Sequence, residues 1–160
     1  MEEWSPPEMK SSYPLRPEPD FWSIEVNAGA FAAGDRAMEI ASSFLVIAGQ
    51  LLPLPYKEQE LTICNILECV DCIDEDRSKW HLHPTDRRRL STKRPFFTTA
   101  EMPRSTLFKI PQAPMDIFVW EQTCEPADEF KACVEENKLT GLAFEPVWSE
   151  EEGIIPYKRI

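Results

Sequence analysis

Two cysteines and two histidines are the residues of this chain whose types and spacing come nearest to a chemical site. Cys69-Val-Asp-Cys72 is a CxxC pair, and His81-Leu-His83 follows nine residues later. Thiolate and imidazole are the ligands that zinc prefers. On a strand, the His-x-His spacing puts both rings on one face. That spacing is short for a zinc finger, however, and free cysteine usually behaves as a small buried hydrophobe. The pair also lies among Glu68, Asp71 and Asp74. These carboxylates raise a thiol's pKa and oppose a redox role of the thioredoxin kind. The expectation is packed, reduced cysteines, with no metal and no cofactor.

Other chemistries fail on the residues they require. Gly29-Ala-Phe-Ala-Ala-Gly34 has the glycine spacing of a phosphate-binding P-loop, but Asp35-Arg36 stand where Lys and Ser/Thr are needed. Without the lysine and the magnesium-binding hydroxyl these are turn glycines. No GxSxG elbow is present. His81 or His83 could activate a cysteine, yet nothing selects one. Carboxylate pairs are expected by chance among 28 acidic residues. The chain therefore reads as a non-enzyme.

Charge is the next signal. The 160 residues carry a formal net charge of −11. The segment Asp86 to Lys109 runs against this, with Arg87, Arg88, Arg89, Lys93, Arg94, Arg104 and Lys109 opposed only by Asp86 and Glu101. Its local +5 leaves −16 on the remainder. With Phe96 and Phe97 beside it, the run resembles a small nucleic-acid patch. The overall field repels phosphate, so the segment reads instead as a loop answering the acidic face of the same protein. Direct binding to nucleic acid or to an anionic membrane is disfavoured on the same ground.

These residues need elements to position them. Residues 1–20 hold five of the fifteen prolines and read as an extended arm, which Trp4, Tyr13 and Leu15 could pin down. Phe21 to Val26 reads as a strand. Residues 35–47 read as a helix capped by Asp35, with Ala37, Met38, Ala41, Phe44 and Leu45 on its buried side. Gln50 to Tyr56 is an edge strand by its prolines, and Glu60 to Ile66 a cleaner strand. Ser105 to Pro111 and Asp116 to Glu121 are two more strands, joined through Gln112-Ala113-Pro114. Ile117 to Trp120 is apolar on both faces and so central. A second helix starts at Pro126, buries Ala127, Phe130, Cys133 and Val134, and ends with Gly141 in the left-handed position. Leu142 to Trp148 closes the sheet, with Leu142, Phe144 and Trp148 on one face. The fold class is α+β, a mostly antiparallel sheet with two main helices in a single domain. The expected division is an arm at 1–20, a domain at 21–150 and a tail at 151–160.

The opening Met1 to Pro7 has neither the basic n-region nor the apolar h-region of a secretory signal. Phe44 to Leu54 is too short and too interrupted to span a membrane. Five cysteines, an odd number, fit reduced thiols. A cytoplasmic location is expected.

The order of pieces in the second half carries a resemblance. Asn65-Ile-Leu-Glu-Cys-Val-Asp-Cys-Ile-Asp74, with Ser78 after it, is similar to the "N-V-x-x-x-V-D-x-L-D … S" segment of a bacterial immunity family. That family is the eleventh in the polymorphic-toxin immunity series. Leu107 to Ile110, Asp116 to Val119, the helix around Phe130 and the closing Leu139-Thr-Gly-Leu-Ala-Phe-Glu-Pro-Val147 follow in the family's order. Residues 50–148 are covered, and 20–50 more weakly. Cys69, the Arg87–Arg94 run and the arm depart from the pattern. The resemblance implies an antitoxin that binds the secreted toxin or effector domain encoded by a neighbouring gene, blocking its active site or substrate entry. It supplies no catalytic residues. Many such toxins carry basic clefts, so Asp74, Glu75 and Asp76 after the family segment, and Glu150, Glu151 and Glu152 after the closing strand, are the expected partner-binding residues. Trp80 is the expected anchor. An effector chaperone or adaptor, and a small Cys/His metalloprotein or hydrolase, are the alternatives, and a homodimer is left open.

Overall fold

The computed structural model describes residues 17–24, 29–103, 105–122 and 125–148, the backbone of 155–159, and Ser5, Pro6, Glu8 and Lys10 of the arm. Two four-stranded antiparallel sheets and a two-stranded hairpin carry the fold. The first sheet contains β1 (Phe21–Ser23), β2 (Ala30–Ala33), β3 (Gly49–Tyr56) and β4 (Gln59–Ile66), in the order β1-β2-β4-β3. Pro53 and Pro55 lie on the edge strand, as their missing donors require. Helix α1 (Asp35–Ala48) connects β2 to β3. Its N-cap is Gly34, without a side-chain cap, so Asp35 is the first helical residue and not the expected cap. There its carboxylate still meets the positive end of the helix dipole.

The glycines read as turn residues flank β2. A strand occupies the space between Gly29 and Gly34, so no phosphate loop forms. At the far end of α1, Gly49 passes directly from helix to strand. A Cβ there would collide with the Asn65 carbonyl oxygen, which is why no larger residue fits.

The hairpin is β5 (Lys79–Leu82) with β6 (Arg89–Arg94). This corrects the reading of the basic segment as a loop. The second sheet contains β7 (Leu107–Ile110), β8 (Ala113–Val119), β9 (Ala143–Trp148) and β10 (Ile155–Arg159), in the order β7-β8-β10-β9. Residues 155–159 are thus an inner strand of this sheet, and the expected tail at 151–160 is corrected accordingly. The β7–β8 turn is shorter than expected, since Ala113 is already paired with Ile110.

Helix α2 (Phe130–Glu136) starts four residues later than its sequence suggested. The cause is Glu129, whose buried carboxylate accepts the Gln122 backbone N–H at 2.5 Å and holds residues 125–129 as a turn. Ala127 therefore stays exposed, outside the buried stripe expected for it. At the other end, Lys138 at φ 52° takes the left-handed position, with Leu139 N–H bonded back to the Val134 carbonyl. Gly141, expected there, serves elsewhere. It sits at φ 96°, and a Cβ would collide with the Phe21 carbonyl oxygen.

One core lies between the first sheet, both helices and the second sheet. Phe31, Ala33 and Cys64 meet Ala37, Ala41 and Leu45 of α1, Phe130, Cys133 and Val134 of α2, and Leu107, Ile117 and Val119 beyond. Phe130 meets Phe21, Phe44 and Phe144 edge-on at 6.0, 6.2 and 6.4 Å. A second core, of Cys72, Ile73, Phe97, Phe108, Ile110 and Phe118, covers the other face of β7 and β8. The alternation of Ile117 and Val119 against Phe118 between the two makes β8 apolar on both faces, as expected of an inner strand. Trp148 belongs to the second core, not to the face of Leu142 and Phe144. The β9–β10 register slips at Val147, which turns the last residue over.

Candidate partner-binding surface

The segment after β4 folds as a tight corner that leads into the hairpin. Asp74 accepts the backbone N–H groups of Asp76 and Arg77 at 3.1 and 3.0 Å, an Asx-type turn. The Ser78 hydroxyl donates to the Asp74 carbonyl at 2.6 Å and accepts the Phe96 N–H at 2.8 Å. The serine of the family-like segment therefore ties the start of the hairpin to its end.

This geometry redistributes the roles expected for the acidic residues. The carboxylate of Asp74 is engaged in its own turn. Glu75 is bound by Arg89 at 2.6 Å and by the Gln112 amide at 3.0 Å. The Arg89 hydrogen bond, then that of Gln112, holds the Glu75 carboxyl below its ordinary pKa. Asp76 is exposed with no acceptor role for its carboxylate among the described residues. Trp80 is half-buried against the second core, with the Arg89 guanidinium 4.4 Å above its ring. The structure thus brings Glu75 and Trp80 together around the Arg89 cation, while Asp74 is spent on its own turn, so the three do not form a free acidic patch. Glu150, Glu151 and Glu152 lie outside the described residues.

The cysteines and histidines separate. Cys72 is fully buried, and burial first, then the Asp71 charge, pushes its thiol up to about 12. Cys69 is exposed and bridges to Lys109 of β7. His81 is exposed on β5, and His83 turns into the hairpin tip, where its Nδ1 accepts the Thr85 N–H at 3.3 Å. Among the described residues no three His, Cys, Asp or Glu side chains converge as a metal site.

The hairpin and its flanks present a set of exposed cations. Arg77 and Arg94 lie 4.6 and 5.4 Å from the centroid of one ring, Phe96. Lys79 stands opposite Arg94 in cross-strand register. At the tip, Arg87 holds φ 59°. Arg77, Lys79, Arg87, Lys93 and Arg94 are all exposed, and none forms an ion pair among the described residues. The sequence signal for this was present in Phe96 beside the basic run. What it lacked was the fold-back by which Ser78 brings Arg77 to that ring. No protein-family model matches the chain and no curated protein matches it, so the likeness to the immunity family rests on the residues quoted for it.

Proposed function

We propose that this protein is a stoichiometric binding protein of the immunity kind, which occupies a cognate toxin or effector domain and blocks its active site or substrate access. The single observation that supports this best is where the family-like residues lie. Ile73, Ser78, Phe108, Phe118, Gly141 and Phe144 are core, corner or close-approach residues, so the resemblance concerns a scaffold. The exposed charged side chains around the hairpin then carry whatever is specific to one partner. A scaffold of this kind needs no reacting group, which accords with a deeply buried, protonated Cys72.

No helix among the described residues is long and apolar enough to cross a membrane. Action in the cytoplasm, where an incoming toxin would work, is part of the same proposal. Co-expression with the product of the adjacent open reading frame tests it. Survival of the host and co-purification of the two chains at equal stoichiometry are expected. Toxicity unrelieved by the folded protein would reject the reading. Co-purification without loss of toxin activity would favour an effector chaperone instead.

A further inference from the structure

We infer that the β5–β6 hairpin is a docking surface for an acidic patch on a protein partner, with Arg77, Lys79, Arg87, Lys93 and Arg94 as its contacts and Phe96 as their platform. Three features of the hairpin oppose its own stability and are explained together by such a partner. Lys79 faces Arg94 across the strands, and like charges in that register repel. Arg77 and Arg94 crowd one ring without a carboxylate between them among the described residues. Arg87 occupies a left-handed conformation that glycine or asparagine would take with less strain. Retained cost of this kind is characteristic of binding sites.

The chemistry fits carboxylates. A guanidinium stacked on an aromatic face keeps its planar fork free for a bidentate carboxylate and loses less freedom on binding. Charge decides between a protein and a nucleic acid. Duplex DNA carries one charge for about every 1.7 Å, so its phosphates would run on from the hairpin over a remainder of −16. An acidic patch of limited extent, on a partner otherwise basic, matches both the hairpin and that remainder. Within a Debye length of roughly 8–10 Å, the net +3 of residues 74–94, seven Arg and Lys against Asp74, Glu75, Asp76 and Asp86, governs what meets the hairpin. Only the partner's identity rests on the toxin-binding reading; the surface does not.

The test uses the full chain and a fluorescent oligoglutamate peptide, with an oligothymidylate of equal length and a sedimentation run beside it. The parent is expected to bind the peptide in a salt-sensitive way. Arg77→Glu/Lys79→Glu/Arg94→Glu is expected to weaken binding by about tenfold or more while melting like the parent. Arg87→Gly supplies a second arm at a position whose backbone glycine adopts without strain. It is expected to melt at or above the parent's temperature and still bind the peptide more weakly, a combination that a purely structural arginine would not give. Unchanged peptide binding in both variants overturns the inference. So does tighter binding of oligothymidylate with the same dependence on these residues, or self-association that the triple variant abolishes. Because the peptide replaces the toxin, a failure here leaves the co-expression result intact, and the reverse also holds.

Discussion

The region around Phe130 and the region around Phe96 are both built on aromatic rings, and they use them oppositely. Phe130 is fully buried and meets three other phenylalanines edge-on. Phe96 is half-exposed and meets two guanidinium groups. In the first region the ring holds two sheets and two helices together. In the second it stacks Arg77 and Arg94, neither of which forms an ion pair among the described residues, beside a hairpin whose strands are mostly exposed. On the proposed reading, stability and recognition are carried by separate parts of this chain, so substitutions should sort by region.

The largest effect is expected in the body. Phe130→Ala should destabilise by about 3–5 kcal/mol, which is enough to unfold a marginal domain. Phe144→Ala touches the same ring from a half-buried position and should cost less, on the order of 1–3 kcal/mol. Equal melting temperatures for Phe130→Ala and the parent would break the comparison at its first term. Gly141→Ala comes next. A positive φ costs about 1–3 kcal/mol in a residue with a Cβ, and the collision with the Phe21 carbonyl adds to that. Chemical denaturation should show a lower midpoint with little change in slope.

How legible these regions were in the sequence follows from the kind of signal each uses. The periodicity of α1 and the double-sided apolar run of β8 reflect burial, so both were readable. The buried side of the second helix at Phe130, Cys133 and Val134 was readable too. The start of α2 was not, because a buried Glu129 bonding to Gln122 is a tertiary event with no local pattern. The left-handed Lys138 displaced Gly141 from the expected role for a similar reason, since the space at Gly141 is set by Phe21, far away in the chain. The strand at 155–159 was missed because it is completed only by β8 and β9 on either side. For the candidate surface, sequence found the acidic cluster and the basic run separately. It could not show that Arg89 neutralises Glu75 and covers Trp80, because those pairings depend on how the hairpin folds back.

Smaller effects sharpen the comparison. Cys72→Ala should cost about 1–2 kcal/mol through lost packing. Exposed Cys69→Ala should cost almost nothing. In the folded protein iodoacetamide should modify Cys69 and spare Cys72, whose thiol stays protonated well above neutral pH. Mass spectrometry of a brief labelling reaction would read both sites, and rapid native labelling of Cys72 would contradict its placement in the second core.

The smallest effect concerns acid. Burial pushes the Asp20 carboxyl up, but the Thr140 backbone and hydroxyl bonds and the Arg36 contact outweigh it, so its pKa lies below the ordinary value. A carboxylate shifted downward stabilises the fold above its unfolded pKa. That contribution is lost as pH falls below about 4, through the folded value. Asp20→Asn should therefore lower stability at neutral pH and flatten its decline on acidification. A variant whose melting temperature falls with acid as steeply as the parent's would remove Asp20 from this role.

On the proposed reading the body folds and the hairpin recognises. The most direct test of that division is co-expression of Arg77→Glu/Lys79→Glu/Arg94→Glu with the neighbouring gene's product, scored by host survival and co-purification, with a thermal melt of the same variant. The parent is expected to protect, and the variant to melt within a few degrees of it but neither protect nor co-purify. A variant that melts like the parent and protects as fully would contradict the division between the two regions.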